Sequence, residues 1–97
     1  MITIKQSPQF ANLKKKLYKN QLNCLDKAIK EIALNIEIGE LKTGDLKDIR
    51  VYKFEMIKER WLIAYKIDGN ELILLILFGS HENFYNDLKR YLSKINI

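Results

Sequence analysis

The sequence predicts an α+β domain in which a helical hairpin packs on a mainly antiparallel four-stranded sheet, with one further helix at the C-terminus. Two changes in hydrophobic period support this fold class. Apolar residues recur at helical spacing in the first third of the chain, at a spacing of two from Val51, and again at helical spacing after Phe84. The chain has 97 residues, 47% of them apolar, which suits one small domain with a buried core.

The chain begins with a predicted strand and a first helix. In residues 1–5, Ile2 and Ile4 alternate with polar residues, which indicates a short strand. Ser7 and Pro8 indicate a helix start, because serine is a favoured N-cap and proline a favoured first helical residue. The apolar residues that follow at helical spacing are Phe10, Leu13 and Leu17.

A second helix is predicted after a tight connection at residues 20–23. Gly39 is predicted to end it, since glycine is the usual residue after a helix C-cap. The short connection indicates that the two helices form an antiparallel hairpin on the sheet. The apolar face of the second helix is predicted to contain Leu25, Ala28, Ile29, Ile32, Ala33 and Ile36.

Three more strands are predicted after a turn-rich segment at residues 43–45. In residues 51–56 the side chains alternate, so Lys53 and Glu55 should share the face opposite to Tyr52 and Phe54. A charged hairpin connection at residues 58–60 leads to the next strand. That strand is predicted over Trp61 to Ile67, with Trp61, Ile63, Tyr65 and Ile67 on one face.

The last predicted strand and the final helix enclose the only histidine of the chain, His81. Residues 72–78 are apolar at every position, so this strand should be central and covered on both faces. Ser80 is the predicted N-cap of the final helix, and Tyr85 would share a helix face with His81. A histidine at this junction suits chemistry, because imidazole titrates near neutral pH and a helix N-terminus attracts phosphate. The apolar stripe of the final helix is predicted to be Phe84, Leu88, Tyr91, Leu92 and Ile95.

The net charge of +5 lies in the first third of the chain. Residues 1–36 carry seven Lys or Arg against two Asp or Glu, and residues 37–97 carry ten of each. This asymmetry indicates an anionic partner such as RNA, DNA or an acidic protein segment. No apolar run approaches the ~20 residues of a membrane span and no signal-peptide pattern is present, so we expect a cytoplasmic protein without membrane contact. One cysteine and one histidine argue against a zinc site, and no metal or cofactor is expected.

The polar residues suit cleavage of an RNA phosphodiester without a metal ion. This reaction needs a base for the 2′-hydroxyl proton, an acid for the leaving oxygen and cations for the phosphorane. His81 is a candidate acid or base, and Glu55 and Glu59 are candidate bases. The candidate catalytic set is His81, Tyr85, Lys53, Glu55 and Arg60.

The candidate RNA-binding residues are basic except for one tryptophan. Trp61 suits stacking on a base, although its strand face also fits a core position. The lysines of the first third, by contrast, also fit an ordinary solvated helix surface. The full set is Lys14, Lys15, Lys16, Lys19, Arg50, Lys58, Trp61 and Lys66.

Three segments resemble the ParE-like toxins of bacterial type II toxin–antitoxin systems, in the wider RelE/ParE superfamily. They are GELKTGDLKDIRVYKF at residues 39–54, WLIAYKI at residues 61–67 and GSHENFYNDLKRYL at residues 79–92. The last two also resemble the WLLIY and GSHSDLF segments of YafQ-type toxins. The resemblance covers nearly the whole chain and implies a RelE-like fold, in which a helical pair packs on a curved sheet.

This resemblance implies a growth-inhibiting toxin that is neutralised by a small antitoxin encoded beside it. RelE-like and YafQ-like members cut mRNA in the ribosomal A site, whereas ParE members inhibit DNA gyrase. His81 matches the histidine that YafQ-type toxins use in cleavage, and Tyr85 matches the aromatic residue four positions later. Lys53 falls in a strand where RelE-type toxins often place a cation. The resemblance thus implies an mRNA interferase, with the ribosome, mRNA and the antitoxin as partners.

Two departures from these families leave other functions open. RelE-like toxins usually carry arginine where this chain has Leu62, and YafQ-type toxins carry further histidines where this chain has Met56 and Arg60. The alternatives are a non-catalytic gyrase poison of the ParE type and a degenerate toxin that only binds its antitoxin. In each case we expect an acidic, amphipathic antitoxin segment to contact the lysine-rich helical pair and the C-terminal helix.

Overall fold

The structure, a computed structural model, describes residues 2–69 and 71–95, except for the side chain of Ile95. In these residues five strands form one sheet. The sheet order is β1-β5-β4-β3-β2; β1 and β5 are parallel and the other neighbours are antiparallel. The predicted α+β class is confirmed, but the prediction of four strands is wrong. The elements are β1 (Thr3–Gln6), α1 (Pro8–Lys15), α2 (Lys19–Leu34), β2 (Glu40–Leu41), β3 (Arg50–Met56), β4 (Glu59–Asp68), β5 (Leu72–Ser80) and α3 (Phe84–Ile95).

The additional strand, β2, lies at the sheet edge beside β3. Glu40 pairs with Val51 and Leu41 pairs with Arg50. Both β2 residues are exposed, and a strand of two residues has no periodicity that a sequence pattern could reveal. A short 3₁₀ turn, Gly44–Leu46, then leads to β3. No helix in the described residues is long and apolar enough to cross a membrane.

The first helix begins as predicted, and Ser7 also ties it to the sheet. The Ser7 hydroxyl accepts a hydrogen bond from the Phe10 N–H (3.0 Å) and donates one to the Ile76 carbonyl (2.6 Å). The connection predicted at residues 20–23 is wrong, because α2 already begins at Lys19. The Gln21 side chain accepts a hydrogen bond from the Tyr18 N–H (2.9 Å), which stabilises this earlier start.

Gly39 does not end the second helix, which stops at Leu34. Glycine is required at position 39 because the Tyr65 side chain packs closely against the backbone there. A Cβ on Gly39 would lie 2.8 Å from the Tyr65 ring and hydroxyl. The Tyr65 hydroxyl accepts a hydrogen bond from the Gly39 N–H (2.9 Å) and donates one to the Ile36 carbonyl (2.8 Å). Tyr65 therefore fixes the segment between α2 and β2 to the centre of the sheet.

The sheet has a hydrophobic core on each face, which confirms that β5 is internal and covered on both sides. On one face the two N-terminal helices cover the sheet; we call this the helical-pair face. On the other, α3 covers it; we call this the α3 face. The helical-pair core includes Phe10, Leu25, Ala28, Ile32, Met56, Ile63, Tyr65 and Phe78. The α3 core includes Val51, Leu62, Ala64, Leu77, Phe84 and Leu88.

We predict that Tyr65→Phe lowers the free energy of unfolding by about 2 kcal/mol, because it leaves the Gly39 N–H and the Ile36 carbonyl without their partner. Urea unfolding measures this change. The control is Tyr52→Phe, since the Tyr52 hydroxyl makes no hydrogen bond to any residue that the structure describes. Equal stabilities for the two variants would contradict the assigned role.

We also predict that the stability advantage of the wild type over Tyr65→Phe decreases as the pH rises above 10.0. Burial raises the pKa of Tyr65, and the hydrogen bond from Gly39 lowers it by less, so its pKa lies above the ordinary value of 10.0. The unfolded chain then loses this proton first, which favours unfolding at high pH. A pH-independent difference between the two proteins in urea unfolding would count against this prediction.

Candidate functional site

An exposed polar strip continues the α3 face beyond the part that α3 covers. Lys53 pairs with Leu62, a buried residue of the α3 core, so the Lys53 side chain emerges on the α3 face. Two residues further along β3, Glu55 pairs with Arg60 at the start of β4. Lys53, Glu55 and Arg60 are all exposed. Strand pairing thus brings together three of the candidate catalytic residues. The alternation in the sequence predicts this for Lys53 and Glu55, but not for Arg60, which is expected in the hairpin connection.

His81, the residue directly after β5, extends this strip beyond β3 and β4. Its backbone N–H donates a hydrogen bond to the Arg60 carbonyl (3.0 Å), so it continues the β4–β5 ladder by one residue. The His81 residue is exposed. Glu55 on β3, Arg60 on β4 and His81 directly after β5 therefore occupy one row, and neighbouring strands lie about 4.8 Å apart. We call these three residues the cross-strand row.

The helical pattern from Phe84 to Ile95 is confirmed as α3, but the structure corrects the predicted N-cap of this helix. Ser80 is the last residue of β5, where it pairs with Trp61, and α3 begins only at Phe84. The prediction that Ser80 caps the helix is wrong, because the β4 ladder continues to hold it. His81 consequently lies in a turn outside the helix, and the predicted helix face shared with Tyr85 does not exist.

Tyr85 approaches the sheet from α3 and contacts a lysine that the sequence analysis did not single out. Its ring packs edge-on against Phe84, with the ring centroids 5.5 Å apart. The Lys42 Nζ lies 5.3 Å from the centroid of the Tyr85 ring. The same Nζ lies 3.1 Å from the Glu40 Oε1. The only sequence signal for this contact is the alternation of polar and apolar residues over Glu40, Leu41 and Lys42. Three residues are too few to predict a strand.

The surroundings of Lys42 favour its charged form. Partial burial lowers the pKa of the Lys42 ammonium, but hydrogen bonding and charge interaction with Glu40 and Tyr85 raise it. The net result is a pKa above the ordinary value of 10.5. Lys42 is therefore cationic at neutral pH, and its ammonium is positioned between a carboxylate and an aromatic ring.

Three of the predicted RNA-binding residues have different surroundings. The Arg50 Nη1 donates hydrogen bonds to the Glu37 carbonyl (3.2 Å) and the Gly39 carbonyl (2.9 Å), so Arg50 stabilises the fold. Lys58 is exposed in the β3–β4 turn, where Ile57 and Lys58 both have positive φ. The connection predicted at residues 58–60 is wrong, because Glu59 and Arg60 already belong to β4. Lys66 is six residues along β4 from Arg60, a separation of about 20 Å.

The other predicted RNA-binding residues lie on the opposite side of the sheet from the cross-strand row. Trp61 packs on the helical-pair face, and its ring stacks on Phe78 with the centroids 6.0 Å apart. The four lysines from the first third of the chain that are predicted to bind RNA lie in or beside the two helices that cover this face. One of them, Lys14, also forms an ion pair with Asp26 (3.7 Å). The sheet therefore separates them from the candidate catalytic residues. They are Lys14, Lys15, Lys16 and Lys19.

A groove of ≈ 780 Å³ runs between α1 and α3 at the outer edge of β5. Strand β1 pairs with β5 only over Leu72–Leu75, so in the described residues no strand covers the β5 edge from Leu77 to Ser80. Trp61, Phe78 and Phe84 contribute apolar surface to the groove. Its charged lining is three cationic side chains against one carboxylate: Lys16, Arg90 and Lys94, with Asp87. No cluster of three or more metal-binding side chains occurs among the residues described.

The fold is similar to that of E. coli RelE in several solved structures. A double arginine-to-alanine variant of RelE in the free state matches with a TM-score of 0.74 at 16% identity, covering 99% of this chain and 98% of that chain. The intact E. coli RelBE toxin–antitoxin complex matches with a TM-score of 0.66 at 19% identity, covering 84% of this chain and 99% of that one. Isolated RelE gives 0.64 at 19% identity, covering 93% and 98%.

Sequence comparison identifies the family directly. The model of the family described as ParE-like toxin of type II bacterial toxin–antitoxin system matches residues 4–89, which include all strands of the sheet but the first residue of β1. No curated protein sequence gives a significant match. The RelE-like fold and the expected resemblance are thus confirmed together. The chain belongs to the ParE-like toxins of type II bacterial toxin–antitoxin systems.

Proposed function

We propose that this toxin inhibits translation as a metal-independent endoribonuclease that cuts mRNA on the ribosome, with the cross-strand row as its cleavage site. The observation that carries the proposal is the order of the row: an exposed carboxylate and an exposed imidazole flank an exposed guanidinium. Membership in the toxin family and the likeness to RelE support this reading.

In the proposed mechanism, Arg60 binds the scissile phosphate between the two proton-transfer groups. Glu55 accepts the proton of the ribose 2′-hydroxyl, whose oxygen attacks the phosphorus. The protonated His81 imidazole donates its proton to the departing 5′-oxygen. The products are a 2′,3′-cyclic phosphate and a 5′-hydroxyl, and Arg60 and Lys53 stabilise the charge of the phosphorane between them. Tyr85, which is partly buried, offers the accessible part of its ring to a neighbouring base.

The helical-pair side of the molecule suits attachment to ribosomal RNA. Lys15, Lys16 and Lys19 are exposed there, and the first third of the chain carries the whole surplus charge of +5. Contacts from these lysines to phosphates would hold the toxin in place without reading sequence. The opposite face, with the cross-strand row, would then remain available to the mRNA.

We predict that His81→Ala lowers the rate of cleavage of ribosome-bound mRNA by about 100-fold or more, the size expected for loss of a general acid. Because His81 is exposed, we expect the variant to keep its fold, which thermal unfolding checks. Sequencing of RNA ends after induction, together with a purified translation assay, measures cleavage. Asn23→Ala is the control, because Asn23 is exposed on α2 and remote from the row.

Three results would contradict this proposal. Undiminished cleavage by His81→Ala would exclude the row as the catalytic site. DNA damage and gyrase–DNA complexes in induced cells with intact mRNA would instead support a gyrase poison. Unimpaired growth without an antitoxin would support a degenerate toxin.

We also propose that a small antitoxin neutralises this chain by placing an acidic, amphipathic segment in the groove between α1 and α3. The groove combines an uncovered strand edge, apolar side chains and an excess of cations, which suit an extended acidic segment. The likeness to the toxin in the RelBE toxin–antitoxin complex supports a partner of this class.

We predict that Arg90→Glu combined with Lys94→Glu weakens binding of the antitoxin by about tenfold or more, because both cations line the groove. Titration calorimetry with the purified product of the short neighbouring gene measures the Kd. The control carries the same total change of charge: Lys27→Glu with Lys30→Glu, two exposed positions of α2 outside the groove. Equal weakening in both variants would show that net charge alone matters and would refute the groove as the site.

A further inference from the structure

We propose that Lys42 is a positioning residue that holds the Tyr85 ring in the orientation proposed for stacking on an RNA base, with Glu40 fixing the lysine in turn. This inference rests on the proposed cleavage of RNA. The observation behind it is the continuous contact from Glu40 through the Lys42 ammonium to the Tyr85 ring, with distances of 3.1 Å and 5.3 Å. It connects the edge of the sheet to the first turn of α3.

The lysine is fixed at both ends of its side chain. Its backbone N–H donates a hydrogen bond to the Ile49 carbonyl (2.9 Å), which continues the pairing of β2 with β3. Its ammonium is bound by Glu40, whose backbone pairs with Val51. Only 21% of the Lys42 side chain is exposed, although lysine is usually one of the most exposed residues. These contacts hold the Lys42 ammonium against the Tyr85 ring.

The Tyr85 ring is only partly buried at the start of α3, where it packs against the α3 core. It is the second residue of α3, where the helix has just left the turn that contains His81. Phe84 contacts one part of the ring edge-on, and its own side chain is buried in the α3 core. The Lys42 ammonium supplies the second contact through attraction to the π-electrons. Removal of that charge would leave the ring held only by Phe84 and the α3 core, and would weaken its orientation toward an RNA base.

A direct contact of Lys42 with RNA phosphate is the competing role, and the structure argues against it. Glu40 neutralises the ammonium at 3.1 Å, whereas Lys53 and Arg60 on the same face make no ion pair with any described residue. The charge that RNA would meet at this point is therefore close to zero. The two roles differ in measurable ways, because a phosphate contact contributes to the salt dependence of binding and a positioning contact does not.

The test is single-turnover cleavage of ribosome-bound mRNA by Lys42→Met, which keeps the length of the side chain and removes its charge. We expect kcat to fall about tenfold, while KM and the salt dependence of binding stay unchanged. A fall of about tenfold corresponds to the loss of one partly desolvated cation–π contact. Lys42→Arg should restore most of the rate, because arginine also pairs with a carboxylate and stacks on a ring. Glu40→Gln should show an intermediate loss. Lys47→Met is the control, because Lys47 is an exposed lysine of the same connection.

A double-mutant cycle tests whether Lys42 acts through Tyr85. Tyr85→Leu keeps an apolar contact with the α3 core, and in its background Lys42→Met should cost no further rate. Urea unfolding of each variant separates a catalytic effect from loss of stability. Full independence of the two substitutions would overturn the inference.

The other outcomes separate this inference from the function on which it rests. A wild-type rate for Lys42→Met, or a higher KM with a weaker salt dependence, overturns the positioning role while cleavage itself stands. A wild-type protein that does not cleave ribosome-bound mRNA overturns the proposed function and this inference with it.

Discussion

The register of β4 against β3 and β5 is the constraint on which the remaining structure depends. It pairs Glu55 with Arg60 and places His81 on the Arg60 carbonyl, so the candidate site follows from backbone pairing. The same register buries Leu62 under α3 and Tyr65 under the helical pair. A slip of one residue would exchange the two faces of β4 and expose both cores, which fixes the register strongly.

The sheet also divides the molecule into two surfaces with different chemistry. The helical-pair side carries the surplus of lysines, and the α3 face carries mixed charges around the cross-strand row. Polar residues are tolerated in the row because α3 covers only part of its face, leaving Glu55, Arg60 and His81 solvated. The proposed RNA-binding surface and the proposed cleavage site therefore use different side chains of one small toxin.

Several features of the fold and the site follow from sequence pattern, since they depend on local periodicity. Alternation along β3 identifies Lys53 and Glu55 as neighbours on one face, and Ser7 with Pro8 identifies the start of α1. The solitary His81 marks the junction of β5 and α3. The boundaries at residues 20–23, at Gly39 and at Ser80 escape this reasoning, because hydrogen bonds from Gln21, Tyr65 and the β4 ladder decide them.

The sequence by itself determined the α+β class, the family and the types of residue available for chemistry, because period, turn chemistry and motif are properties of neighbouring positions. Tertiary structure alone decided which of those residues meet. It joined Arg60 to His81 across a strand pair, engaged Arg50 with backbone carbonyls, placed Trp61 on the far face and brought Lys42 to Tyr85. These contacts link residues far apart in the chain, and only the packing of both sheet faces fixes them.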